Sequence, residues 1–169
     1  IDSDGSHVAI GAHYNDGGGS NAGHVRIYSW DDSAWAQVGN DIDGEAANDY
    51  SGGSVSMDSD GSHVAIGAYG NDGNGSGSGH VRIYSWDGSA WTQAGNDFDG
   101  EAASNSSGRS VSMDSDGSHV AIGAYGNDGN GSDSGHVRLY SWDGSAWSQV
   151  GNDIDGEAAY DYSGYSVSI

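Results

Sequence analysis

The chain has 169 residues, enough for one sizeable core, and with no Cys it has neither disulfides nor thiol chemistry. Asp and Glu total 25 against four Arg and no Lys; the resulting charge of −21 excludes general affinity for nucleic acid or anionic membrane, where phosphate binding needs clustered cations. Hydrophobic residues are only 34%, yet six Trp and ten Tyr lie in short regular runs, which excludes a disordered chain.

Many glycines (31) without a single Pro suit a protein of tight turns. The acidity implies self-repulsion, relieved by salt or by cations such as calcium. No apolar stretch approaches the roughly 18 residues needed to span a bilayer. The chain begins with Ile1 and no leader is visible, so a processed chain or a segment of a longer one is expected.

A repeat dominates the sequence. The string Asp-Ser-Asp-Gly-Ser-His-Val-Ala-Ile-Gly-Ala begins at Asp2, Asp58 and Asp114, and Gly-His-Val-Arg-(Ile/Leu)-Tyr-Ser-Trp-Asp at Gly23, Gly79 and Gly135, both with a period of 56. The repeats are therefore 2–57, 58–113 and 114–169, one array over 1–169. The last two differ at only 10 of 56 positions.

Each repeat reads as four strands. The first is Ser-Val-Ser-Met, as at 54–57, followed by the turn Asp58-Ser59-Asp60-Gly61, whose Asp-Gly is a strong hairpin signal. The second, His63 to Ala68, is almost continuously apolar, as expected of a strand covered on both faces. A loop rich in Gly, Asn and Asp runs from Tyr69 to Gly79. The third strand, His80 to Trp86, alternates Val81, Ile83, Ser85 against Arg82, Tyr84, Trp86. The turn Asp87–Ala90 leads to a fourth strand near Trp91 to Ala94, and 95–108 returns to the next repeat. No segment has helical period or caps. The pattern predicts an all-β chain, a β-propeller-like array of three four-stranded antiparallel blades, each too thin to cover its own faces.

The ends predict incompleteness. Ile1 occupies the repeat position of Met57, Met113 and Ile169, so strand His7–Ala12 lacks its first-strand partner and Ser166–Ile169 lacks its second. Three blades are fewer than the roughly four to eight of closed propellers. Two chains forming a six-bladed ring, head-to-tail joining into a filament, and a window on a longer array remain as alternatives.

The segment 51–68 (Ser-Gly-Gly-Ser-Val-Ser-Met-Asp-Ser-Asp-Gly-Ser-His-Val-Ala-Ile-Gly-Ala), followed by Gly-His-Val-Arg-Ile-Tyr at 79–84, resembles the FG-GAP repeats of integrin α-chain propellers and related bacterial and algal surface proteins. The resemblance covers all three repeats and implies propeller blades, extracellular location and adhesive or structural roles. It also implies calcium in the turn between the first two strands, held by several acids. Here that turn carries Asp2 and Asp4, Asp58 and Asp60, or Asp114 and Asp116, with Ser62 and His63 where further acids would stand.

Candidate chemistry recurs with the repeat. Asn-Asp-(Ile/Phe)-Asp-Gly-Glu offers oxygen ligands to Ca2+ through Asp41, Asp43 and Glu45, through Asp97, Asp99 and Glu101, and through Asp153, Asp155 and Glu157. As an Asx-bonded turn the same segment needs no ion. One Glu and one third-strand Arg per repeat predict structural ion pairs of Arg26, Arg82 and Arg138 with Glu45, Glu101 and Glu157, within or between blades. An acid–base pair for catalysis would have to exist in every repeat, and no nucleophile constellation or phosphate loop is present; no enzyme is expected. His63 and His80 begin antiparallel strands and lie at opposite ends, so they cannot share an ion and are expected at rims or edges. The pairs Trp30/Trp35, Trp86/Trp91 and Trp142/Trp147 flank tight turns and face each other across a hairpin. They offer either packing at blade edges or a sugar platform. Sequons at Asn74, Asn105 and Asn130 are glycosylation candidates.

The period and near-identity of the units point to an extracellular structural protein whose partners are copies of itself, assembling head to tail or in a ring. The alternative is an adhesion module recognising glycans or a protein through loops 69–79 and their equivalents.

Overall fold

The structure, a computed structural model, describes all residues from Ile1 to Ile169. It is entirely β. Repeat 1 supplies β1 (His7–Ala12), β2 (His24–Trp30), β3 (Trp35–Gln37) and β4 (Ile42–Asp43). The middle blade has β5 (Ser51–Met57), from the end of repeat 1, then β6 (His63–Ala68), β7 (His80–Trp86), β8 (Trp91–Gln93) and β9 (Phe98–Asp99). The last blade has β10 (Ser110–Met113), from the end of repeat 2, then β11 (His119–Ala124), β12 (His136–Trp142), β13 (Trp147–Gln149) and β14 (Ile154–Asp155).

The strands form three separate antiparallel sheets in meander order, β5-β6-β7-β8 in the middle one, with β9 also on β7. The register of β6 on β7 runs from His63↔Ser85 to Ala68↔His80, and β1–β2 and β11–β12 repeat it. This is a propeller-like array of blades. The two middle strands fall where the apolar run and the alternation place them. The first strand of the middle blade reaches back to Ser51, with a register shift between Ser51 and Ser54 that Gly52 and Gly53 accommodate. Residues 166–169 pair with no strand.

The fourth strand differs from expectation: it is broken in two. Gln93 pairs with Tyr84, but the next pair is Phe98 with Val81, so 94–97 bulge out between them. The bulge aims Asp97 back at the sheet, where Gln93 Nε2 donates to its Oδ1 at 2.6 Å.

The core is a set of seams between blades. At the first, Val25, Ile27 and Ile42 of repeat 1 meet Val64 and Ile66 of repeat 2. At the second, Ala65, Val81, Ile83 and Phe98 meet Val111, Met113, Val120 and Ile122. Strand β6 thus gives Val64 and Ile66 to one seam and Ala65 to the other, which explains its unbroken apolar run. Gly67 lies where the chain passes closest, because a Cβ there would collide with the carbonyl oxygen of Gly108.

Seam hydrogen bonds supplement the packing. Ser59 N donates to Ser115 O at 3.0 Å, Gly70 N to Asp49 O at 3.1 Å and Ser54 Oγ to Gly108 O at 2.7 Å. The Trp pairs face each other as expected, ring centroids 5.4 Å apart for Trp86 and Trp91. Their packing is between blades of the same chain. Trp91 Nε1 donates to Val38 O at 3.0 Å and Trp147 Nε1 to Ala94 O at 3.1 Å, each reaching the preceding repeat.

Candidate functional site at the blade seams

The Arg and Glu of the repeat meet across seams, offset by one repeat. Arg82 Nη1 lies 3.2 Å from Glu45 Oε1 and its Nη2 donates to Asp43 O at 3.1 Å. Arg138 stands 3.8 Å from Glu101 and donates to Asp99 O at 2.8 Å. Both guanidiniums are nearly buried, so a partner and a carbonyl together offset their desolvation. Arg26 has no repeat on its side and folds back onto Asp41, with Nε and Nη2 at 2.9 and 2.8 Å from the two carboxylate oxygens. That fork, with the Gln37 amide, holds the Asp41 carboxyl down at about 2. Glu157 pairs with none of the three Arg.

The acids of the Asn-Asp-(Ile/Phe)-Asp-Gly-Glu segments therefore do not converge on one point. Asp41 and Asp43 stay with their own blade, and Glu45 reaches across the seam. Asp97, Asp99 and Glu101 divide in the same way, and Asp153, Asp155 and Glu157 share the layout with no blade beyond them.

What does converge crosses blades and includes His. Ligand atoms of Glu45, His80 and Asp97 lie within 4.8 Å of one another, as do those of Glu101, His136 and Asp153. A related set, His24, Asp41 and Asp43, lies within repeat 1. The third-strand histidines are not the rim residues expected from their place at strand starts. His80 and His136 are each 1% exposed, because the chain returning to the next blade covers them through the bridges Gly79↔Ser107 and Gly135↔Ser163. Burial pushes the imidazole pKa of both below its ordinary value, and the neighbouring guanidinium adds to the shift.

The second-strand histidines belong to the Asp-Ser-Asp-Gly turns. Asp58 Oδ2 lies 2.7 Å from His63 Nδ1 and accepts from Ser62 Oγ at 2.9 Å, while Oδ1 accepts from His63 N at 3.0 Å. Asp60 accepts from Ser62 N at 3.0 Å. Asp114 repeats this arrangement, so the turn satisfies its carboxylate with its own donors, whereas Asp2 keeps only the Oδ2 contacts to Ser6 and His7 and leaves its buried Oδ1 unpartnered. A looser group, Asp114, Asp116 and His119, also brings ligand atoms within 4.8 Å.

Two sequons lie on exposed residues, Asn74 and Asn130, whose amides donate to Gly100 O and Gly156 O at 3.0 Å. Asn105 is 4% exposed and its Oδ1 accepts from Ala102 N at 2.9 Å, which removes it from reach in the folded chain.

An aromatic ladder escaped the sequence reading. It runs along the ends of the second strands. Tyr50 stacks on Tyr69 with centroids 5.2 Å apart and planes 7° apart, His13 and Tyr14 extend it, and Arg109 lies 5.3 Å from both Tyr69 and Tyr165. Tyr125 joins Tyr162 and Tyr165 beyond. Tyr50 and Tyr162 hold φ of 56° and 53°, a left-handed backbone that costs a bulky residue about 1–3 kcal/mol. The available signal was divergence between repeats. Ser104, Asn105, Ser106 and Arg109 face Tyr160, Asp161, Tyr162 and Tyr165, while the remaining differences are mostly mild.

Sheets joined by repeated, offset seams define a tandem array of propeller-like blades. The FG-GAP repeat model matches residues 42–84 and 99–140, half of the chain, and the chain belongs to that family. Each match runs from the end of one blade's outer edge into the third strand of the next, and so covers the first three strands of a blade. No curated protein matches the chain. Repeats of this family typically occur in extracellular proteins, and no helix here is long and apolar enough to cross a membrane.

Proposed function

We propose that this protein is an extracellular structural array whose end blades dock head to tail onto further copies of itself. One observation carries the reading: each end presents half of a seam whose other half lies at the opposite end. Ile66 and Ile122 are 2% and 0% exposed, but Ile10, the same repeat position, is 51% exposed. Ile42 and Phe98 are each 6% exposed, whereas Ile154 is 62% exposed. The first face, with Val8, Ile10, Tyr28 and Trp35, has the shape that Val64, Ile66, Tyr84 and Trp91 present to repeat 1. The internal seams thus specify the occupant of each face. A docked copy would also present Glu157 to Arg26, as Glu45 is presented to Arg82. Such a contact joins unlike faces and extends until its rotation closes.

Sedimentation of the purified chain over a range of concentrations tests this. Association is expected, with filaments or rings by electron microscopy, and Ile10→Asp abolishes it while the far-UV spectrum is unchanged. A wild-type chain that stays monomeric at high concentration ends the proposal.

The aromatic ladder favours a second reading, adhesion. Rings held in costly backbone conformations, at positions where otherwise near-identical repeats diverge, are suited to stacking on the apolar faces of sugars. A glycan array probed with the wild type and with Tyr14→Ala plus Tyr165→Ala decides it. A hit that the double variant retains, or no hit at all, removes this reading.

A further inference from the structure

We propose that each of the two internal seams binds a divalent cation of the zinc class, through Glu45, His80 and Asp97 at one and Glu101, His136 and Asp153 at the other. His136 Nδ1 is fully buried and has no hydrogen-bond partner, although Asp153 Oδ2 lies only 3.4 Å away. In the other seam the equivalent nitrogen, His80 Nδ1, is 3.6 Å from Asp97 Oδ2, beyond hydrogen-bond reach. A buried polar atom without a partner calls for an explanation.

The separations supply one. Two ligands about 2.0–2.1 Å from a tetrahedral ion stand about 3.3 Å apart, close to the observed nitrogen–oxygen spacings and too long for a good hydrogen bond. The third ligand arrives from the preceding blade, within the same 4.8 Å sphere. The Glu45 and Asp97 side chains are 49% and 30% exposed, so an ion has an entry path and room for a water as fourth ligand. Two carboxylates outweigh the one guanidinium beside them, and a carboxylate has lone pairs enough for both Arg and an ion. Buried, neutral imidazole offers its lone pair at neutral pH, and its presence favours first-row metals over Ca2+ and Mg2+, which take oxygen throughout.

The site spans blades, so it could not be read from any one acidic segment. Its ion would join adjacent repeats at the point where Asp97 bulges from the outer strand. The repeat 1 set of His24, Asp41 and Asp43 lacks the Glu that reaches across a seam, and both oxygens of Asp41 are held by the Arg26 fork.

Calorimetric titration of chelator-treated full chain with ZnCl2 tests the proposal. Two ions per chain are expected. Asp97→Asn and Asp153→Asn each reduce the count to one and together to none, while Asp114→Asn leaves it at two. CaCl2 at the same concentration gives no heat. As a check on the unaltered chain, Co2+ must develop visible bands of a low-symmetry site with nitrogen and oxygen ligands, and Zn2+ must bleach them. Absence of zinc binding, a count unmoved by the paired Asn variants, or equal binding of Ca2+ overturns it.

Discussion

His63 lies against Asp58, and that hydrogen bond is the leading cause that raises its pKa above the ordinary 6.5. The folded state therefore holds the proton more tightly than the unfolded chain. The resulting stability is fully present below the ordinary value and is lost as pH rises through the raised one. His80 and His136 behave in the opposite sense, since burial depresses them. Below about 6.5 the unfolded chain binds protons that these two rings refuse, and stability falls as the medium acidifies. His63→Gln should thus cost more at about pH 5.5 than at about pH 9. Urea midpoints at the two values measure it, and an equal cost at both would show that the Asp58 contact contributes nothing through charge. At this scale the sequence showed which residue types recur but not their surroundings. His63 and His80 both begin strands, and only the chain returning over His80 separates an exposed pair from a buried ring.

The second and third strands were legible to the residue because two signals agreed, apolar runs and turn residues at both ends. The outer strand was not. Its break at 94–97 recurs at 150–153, which no blade covers, so it is local to the Asn-Asp segment; the next blade packs on it, with the Trp147 indole donating to the Ala94 carbonyl and lying against Gly95. Gly95 has φ +89°, and an added Cβ would stand 2.8 Å from Trp147 Cδ1. Gly151, the same position in repeat 3, has φ +72° and nothing within 4 Å. Both alanine substitutions strain the backbone, but only Gly95→Ala also overpacks a seam. Gly95→Ala should cost about 1–3 kcal/mol more than Gly151→Ala in denaturant unfolding of dilute chain. Equal costs would mean that the indole yields freely.

The whole molecule is a row of seams with an unmatched half at each end. The proposed association can be tested through its polarity. Ile10→Asp blocks one face and Ile154→Asp the other, so neither variant alone should extend. Mixed, they retain one intact face each and should form a dimer and nothing larger. A mixture that remains monomeric, or that grows into longer species, would contradict head-to-tail docking. The offset of the ion pairs fits the same polarity, with each Glu reaching forward to the Arg of the following repeat.

By itself the sequence determined the period, the three repeats, the all-β character and the family, because each depends on local pattern repeated along the chain. It also placed one Arg and one Glu in every unit. Only the tertiary structure decided their partners, the burial of the third-strand histidines, the division of each acidic triplet and the aromatic ladder. The physical reason is the seam. These features join residues well separated in sequence, mostly across sheets whose relative placement no local propensity encodes, and the contact across that gap sets which charge meets which.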